Sequence, residues 1–409
     1  MHRQDKEYVK KWIREALYQL KAETKGHYLK NINLIKKLIL SYQCPLEIVH
    51  GKLKPQDHSN MFQLLNQEGT ELTLFDLLVA KFKPYGINLR KLWKESRKSY
   101  NSFNEFFLDP KYILQVICLI RGTKQGDEWP TCAKQDLKKI PRFYEETKLF
   151  RSKKKQFNED WEESCKCINK TLEQFRAEFG VCNKKYLPYT PMIVTLSAIK
   201  WWSSDYDQRY IGTISKKIRM WYWGSIFSLA YSKSTDDVIS KHFYHLRQWL
   251  APGKREKTPP ELNFKMSRQD IKAMTDKIES SGDARYKAIM SLPFIDNNIK
   301  DIYSNEVLVT VRDSLNDHHI FPVAYLKEKY NEKISKEEIN QVTNRILITG
   351  KTNQEIKKKS PSKYLEGIRK DVLSKYFLFN EIKDEKMDYY EFIEKRRKLI
   401  INKIYSFIN

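Results

Sequence analysis

The chain has 409 residues, 41% hydrophobic and 13% aromatic, enough apolar material for real cores and too much for a disordered chain. Lys+Arg 75 against Asp+Glu 51 give a net charge of +24, which favours polyanionic partners and disfavours acidic ones. That charge alone does not separate nucleic acid from an anionic membrane surface; thirteen glycines argue against a glycine-loop dinucleotide fold, no apolar run is long enough to span a bilayer, and Met1–Glu7 carries no apolar signal core, so a cytoplasmic protein is expected.

Residues 6–40 carry Val9, Trp12, Ile13, Ala16, Leu17 and Leu20 at helical spacing, which predicts two helices. Pro45 to Val49 reads as a short strand. Asp57, His58 and Ser59 cap a helix that runs to Leu65 and breaks at Gly69. A further helix starts after Leu72-Thr73 and ends near Lys81, with Pro84 and Gly86 closing the unit. Residues 111–121 form a strongly apolar helix. Residues 123–160 are polar and lysine-rich, with Arg151, Lys153, Lys154 and Lys155 in the middle, and read as a connection or an exposed helical surface.

From 161 to 300 the pattern is almost entirely helical. Pro188 and Pro191 open a buried helix to Trp202, residues 214–231 form another around Trp221 and Trp223, and Pro252-Gly253 with Pro259-Pro260 mark a loop holding Lys254, Arg255 and Lys257. Residues 267–279 and 284–292 resume the helical spacing. Then the texture changes. The apolar run 306–311 predicts a strand, a histidine pair follows, a second short apolar run covers 346–349, and a lysine-rich helix comes next. Residues 388–408 place Phe392, Leu399, Ile400, Ile404 and Phe407 on one stripe, an amphipathic closing helix. The fold class expected is mainly α with a small α+β module near the C-terminus.

The six cysteines, Cys44, Cys118, Cys132, Cys165, Cys167 and Cys182, form no C-x-x-C pair, which argues against a structural zinc site and for buried free thiols in a reducing compartment. His242 and His245, one helical turn apart, lack an evident third ligand. Trp201, Trp202, Trp221 and Trp223 sit among Ile, Leu and Met at helical spacing and read as core. Gly350-Lys351-Thr352 is not a phosphate loop, because Arg345 stands where the first glycine is needed. Arg396-Arg397-Lys398 reads as an exposed, DNA-facing strip on the closing helix.

One constellation carries chemistry: Asp317-His318-His319-Ile320-Phe321-Pro322, followed by Asn344 and Asn353, in the order strand, loop, strand, helix. Phosphodiester hydrolysis needs a base for water and a cation for the charge on the leaving oxygen. Neutral imidazole suits the first near pH 7. A second imidazole or a carboxylate, with an amide carbonyl, holds one Mg²⁺-like ion and leaves room for water and phosphate.

These residues resemble the HNH nucleases, the ββα-metal family, over about 308–365. The family pattern is a histidine followed by Ile and, two residues on, Pro, then an asparagine, then Asn or His nine residues further. His319-Ile320-Phe321-Pro322, Asn344 and Asn353 fit it. The resemblance implies His319 as general base, His318 and Asn353 as ligands of a divalent ion (Mg²⁺ or Mn²⁺), Asp317 as reserve ligand, and Asn344 as the brace of the histidine loop. Lys357 and Lys351 are the phosphate contacts it suggests.

A second resemblance covers most of the chain. Phe62-x-x-x-Asn66-x-x-Gly69-x-x-Leu72-x-x-x-Asp76-Leu77-x-x-Ala80 is similar to the distal part of the ParB-like domain that opens GmrSD-like restriction proteins. Leu187-Pro188-Tyr189, Trp221-Tyr222-Trp223-x-Ser225-x-Phe227 and residues 288–303 look like the helical region that joins it to an HNH domain there. Lys363-Tyr364-Leu365 and residues 392–399 look like its tail.

That family's Asp-Gly-Gln-Gln-Arg run, tied to nucleotide binding and hydrolysis, does not occur, so no nucleotide site is assigned. The chain is expected to be a C-terminal portion, to have its missing half on a separate chain, or to carry a decayed domain. The organisation implied is a ParB-like remnant at 1–125, a helical connecting domain at 126–300, an HNH module at 301–365, and C-terminal helices at 366–409.

The function expected is a metal-dependent HNH DNA endonuclease of a prokaryotic restriction or anti-phage system, with DNA as partner and no membrane role. Two alternatives stand beside it. One is a DNA- or partner-binding subunit whose site is silent without a separate nucleotide-binding half; the other is an RNA-cleaving toxin.

Overall fold

The computed structural model describes residues 30–33, 36–37, 73–140 and 150–409, apart from 207, 234, 254–257, 263–265, 276–277, 296–298, 304–305 and 309–313. The chain divides into two units, Met1–His58 and Ser59–Asn409. In the first, residues 30–33 and 36–37 are helical. The strand expected at Pro45–Val49, the helix expected at 57–65, Cys44 and the loop lysines at 254–257 lie outside the described residues, as does most of the segment 6–40.

Among its described residues the second unit is mainly helical with one small antiparallel sheet, the fold class expected. Its helices begin and end where side-chain chemistry tells them to. α1 (Leu74–Phe82) starts at Thr73, whose hydroxyl accepts the amide of Asp76, and the chain turns out of it at Gly86 in the left-handed conformation. α2 (Leu89–Ser99) is capped by Asn88 in the same way. α3 (Lys111–Lys124) is buried on nearly every side, which is why it reads as a continuous apolar run.

α4 (Phe150–Phe179) is a 30-residue helix whose first turns hold the basic run; Lys154 and Lys155 are exposed, while Phe157 and Trp161 are buried. Thus the segment expected as surface is surface on one face and core on the other. The buried carboxylate of Asp160 on that core face pairs with Arg121 of α3. Gly180 ends α4 at φ +69°, and a Cβ there would collide with the carbonyl oxygen of Ser291.

α5 (Met192–Trp202) is apolar almost throughout and packs among α3, α4 and α7 (Thr235–Leu250). α6 (Gln208–Phe227) presents Trp221 and Trp223 to the interior, both fully buried. The Trp221 indole donates to Nδ1 of His242 at 3.0 Å, so that histidine is a core partner with its lone pair in use. The described cysteines, Cys118, Cys132, Cys165, Cys167 and Cys182, are free and buried. Among the described residues no helix is long and apolar enough to cross a membrane.

Further on come α8 (Arg268–Thr275) and α9 (Ala284–Ser291). Next come β1 (Asn316–His319), α10 (Val323–Lys329), β2 (Arg345–Ile348) and α11 (Gly350–Ile356). α12 (Tyr389–Ile408) closes the chain. Two strands and a following helix are present, but α10 and a short helix at Lys336–Asn340 stand between the strands where a loop is expected, and the first strand is not the apolar run 306–311. Within that run Val307 makes an isolated bridge to Lys300, and residues 309–311 lie outside the described residues. The strand is instead the polar segment bearing the histidines.

α12 packs on α6 and α8, with Trp223 and Phe407 stacked at 5.1 Å. Phe392, Ile400, Ile404 and Phe407 are buried as expected, whereas Leu399 is 41% exposed. Arg396 and Arg397, expected on the exposed face, are buried at 3% and 7% exposure. The boundaries at 125, 300 and 365 all fall inside this second unit, whose apolar core runs from Leu78 to Ile408.

Candidate functional site

β1 and β2 pair antiparallel with His319 opposite Arg345, His318 opposite Ile346 and Asp317 opposite Leu347. Alternation along a strand sends neighbouring side chains to opposite faces, and the contacts follow it. His318 turns to α11, where its Nδ1 lies 2.7 Å from Oδ1 of Asn353. Asp317 and His319 turn the other way. Asp317 accepts the hydroxyl of Tyr286 at 2.6 Å and lies 3.6 Å from the Arg345 guanidinium.

An amide oxygen only accepts, so Nδ1 of His318 carries the proton and Nε2 holds the lone pair. That Nε2 is buried and has no hydrogen-bond partner. That nitrogen lies across the ring from Asn353, so the donor pair that fits a divalent ion is Nδ1 with Oδ1, once the Nδ1 proton gives way to the ion, with the remaining positions left to water and phosphate. Asp317 does not join this pair; its carboxylate is engaged on the opposite face of β1. Among the described residues no cluster of three His, Cys, Asp or Glu side chains is poised for a metal, so any ion here relies on the asparagine.

His319 is held at both nitrogens. Nε2 donates to Oδ1 of Asn340 at 3.0 Å, and Nδ1 accepts from Nη1 of Arg345 at 3.1 Å. Burial first, and the Arg345 charge second, pull its pKa down to about 4, against the opposing Asn340 contact. His318 is shifted down as well, chiefly by burial. Both rings are therefore neutral at pH 7. A recess of about 300 Å³ opens beside Asn340, lined also by Glu279, Ser280, Lys336 and Glu337. A larger cleft of about 610 Å³, around Trp202, Tyr244 and Arg247, holds none of these residues.

Asn344 is fully buried. Its Oδ1 accepts the Phe321 amide at 2.8 Å, and its Nδ2 donates to the carbonyls of Phe321 at 3.2 Å and Ile339 at 3.0 Å. Its own backbone carbonyl accepts the Ile320 amide at 2.8 Å. These bonds fix the backbone of Ile320 and Phe321, just before Pro322, and tie it to Ile339. Tyr364 adds a hydrogen bond to the carbonyl of Ile320 at 2.7 Å and meets His318 edge-on.

Asp301 holds the other end of the unit. It is 2% exposed, accepts the Thr349 amide at 2.9 Å and takes the Thr352 hydroxyl, fixing the first turn of α11 and hence Asn353. Lys351 lies in that first turn and Lys357 just past the helix end at φ 50°; both are exposed.

Sequence reasoning missed Arg345, Asn340, Tyr286 and Asp301. Arg345 follows Asn344 directly, yet its role depends on cross-strand register with His319, which stays hidden while β1 is sought in the apolar run. Tyr286 and Asp301 carry no local signal; they reach the site through tertiary packing.

No protein-family model matches the chain. It is similar to an uncharacterized protein of Methanocaldococcus jannaschii, 30% identical over 416 aligned residues that cover 91% of this chain and 66% of that protein. The chain thus spans just under two-thirds of that relative's length.

Proposed function

We propose that the chain is a metal-dependent DNA endonuclease of the HNH type, working in a prokaryotic restriction or anti-phage system. One observation carries this reading: Nδ1 of His318 and Oδ1 of Asn353 meet at 2.7 Å, with His319 next along β1 on its other face, in a strand pair and following helix whose connection Asn344 grips from within. The +24 charge supplies non-specific hold on the phosphate backbone.

In this reading His318 and Asn353 hold a Mg²⁺ or Mn²⁺ ion. When bound, the ion offsets negative charge at the departing oxygen. His319 takes the proton of the attacking water at Nδ1, the nitrogen that carries its lone pair while Nε2 stays protonated against Asn340. Arg345 must first leave that nitrogen, and the incoming phosphate is the anion that draws it off. Asp317 and Tyr286 keep the arginine in place until then. Lys351 and Lys357 serve as outer phosphate contacts.

The capped Nδ1 also favours a second reading. The chain is then a DNA- or partner-binding subunit that stays silent until a separate nucleotide-binding half rearranges the site. Incubation of supercoiled plasmid with the chain and a divalent ion separates the two: nicks support the first reading, and salt-sensitive binding without cleavage supports the second.

A further inference from the structure

Arg396 and Arg397 stand out because burying a guanidinium is costly unless its donors are satisfied. Arg396 has no ion pair among the described residues. Its Nη1 donates to the carbonyl of Thr343 at 2.6 Å and its Nη2 to that of Tyr376 at 3.2 Å. Arg397 is paired with Glu394 and donates from Nη2 to Oε1 of Gln341 at 2.8 Å. Arg396 therefore grips the turn Val342–Asn344 at its backbone, and Arg397 holds the side chain of Gln341, its N-cap residue, one on each side of Val342.

The same helix holds the other limb of the loop. Phe321 packs against Tyr389 and Phe392 with ring centroids 5.4 and 4.9 Å apart, and the Tyr389 hydroxyl donates to the carbonyl of Glu338 at 2.6 Å. Thr343 is followed by Asn344, which braces Phe321, and then by Arg345, which faces His319. A shift of that turn moves the brace and the histidine's cross-strand partner together.

We infer that Arg396 and Arg397 are positioning residues of the candidate site, and that α12 is part of its machinery in place of a DNA-facing strip. This rests on the nuclease reading for its consequence in catalysis, but its geometric half does not. A planar fork reaching two carbonyls is a task for arginine; a lysine ammonium in the same place satisfies one of them.

The test uses the full chain and three variants: Arg396→Lys, Arg397→Gln and, on the exposed neighbour, Lys398→Ala. Hydrogen exchange is read over residues 339–348 and over α5 as an internal reference, and plasmid nicking is followed for kcat and KM. Arg397→Gln touches only side-chain contacts, so it stays informative if Arg396→Lys does not fold. The expected result is exchange at least tenfold faster in 339–348 with α5 unchanged, and kcat at least tenfold lower with KM unchanged, for both arginine variants and not for Lys398→Ala.

Unchanged exchange in 339–348, or acceleration spread equally over α5, overturns the inference. So does local loosening with kcat within twofold of the unaltered chain. If the unaltered chain cuts no DNA, the nuclease reading fails, and exchange alone decides whether the arginines hold the turn.

Discussion

Asn344 and Phe321 are joined twice, Oδ1 to the Phe321 amide at 2.8 Å and Nδ2 to the Phe321 carbonyl at 3.2 Å, with the asparagine fully buried. A side chain thus does the work of a third strand, tying the second residue after the histidine pair to the residue before β2. Removing it strands a buried donor and two acceptors. Asn344→Ala should therefore cost about 2–4 kcal/mol of stability, read by urea unfolding. A loss under about 0.5 kcal/mol would mean that the loop does not depend on it.

Metal binding should follow the faces of β1. His318→Ala and Asn353→Ala should each weaken Mn²⁺ binding at least tenfold by calorimetry. Asp317→Asn should leave it within twofold, because Asp317 points to Tyr286 and Arg345. Equal losses from all three would return Asp317 to the ligand set.

Arg345 and His319 test the electrostatics. The guanidinium lowers the imidazole pKa after burial has done so, to about 4. Arg345→Met removes a cation and should raise that pKa towards the ordinary value near 6.5, followed by the His319 ring resonances against pH. An unmoved titration would place the arginine elsewhere in solution.

His242 gives the pH dependence of the fold. Burial holds its pKa at about 3, against 6.5 for a free histidine, so the unfolded chain binds the extra proton between those values. Stability therefore rises with pH across that window and is lost as pH falls from about 6.5 towards 3, at most by about 5 kcal/mol for this group. His242→Gln should flatten part of that slope in melts between pH 4.5 and 7.5. An identical slope would assign it to other groups.

Much of the helical body was legible because its punctuation is local. Thr73 and Pro191 stand at helix starts, Gly86 marks an exit, and apolar spacing fills the interiors, while the helix 89–99 behind Asn88 went unread. The candidate site was visible in the sequence as residue types at fixed spacing, and the structure brings His318 to Asn353 and ties Asn344 to Phe321. The strand that carries the histidines was not legible. Asn316-Asp317-His318-His319 has no apolar alternation, and the neighbouring run 306–311 has a far stronger strand signature.

The buried arginines were hidden for a different reason. Residues 392, 393, 396, 397, 400 and 404 do form one helical stripe, so the period contained the answer. Charge outvoted it, since arginine is rarely buried without partners, and the partners of Arg396 are carbonyls some 50 residues away in sequence or 20 in the case of Tyr376, while Arg397 adds the distant Gln341 side chain to its local pair with Glu394. Cross-strand register and tertiary carbonyl contacts are properties of the folded chain, and no window along the sequence displays them.

The central claim is that His319 serves as the base of a metal-dependent cut in DNA. The most direct measurement incubates supercoiled plasmid with the unaltered chain and with His319→Ala, with Mg²⁺ or Mn²⁺ and with EDTA. The account predicts nicked or linear product from the unaltered chain with metal, none with EDTA, and a fall of about 10²–10⁴ in rate for His319→Ala with metal binding retained. Equal cleavage by the two proteins, or cleavage indifferent to EDTA, would contradict it.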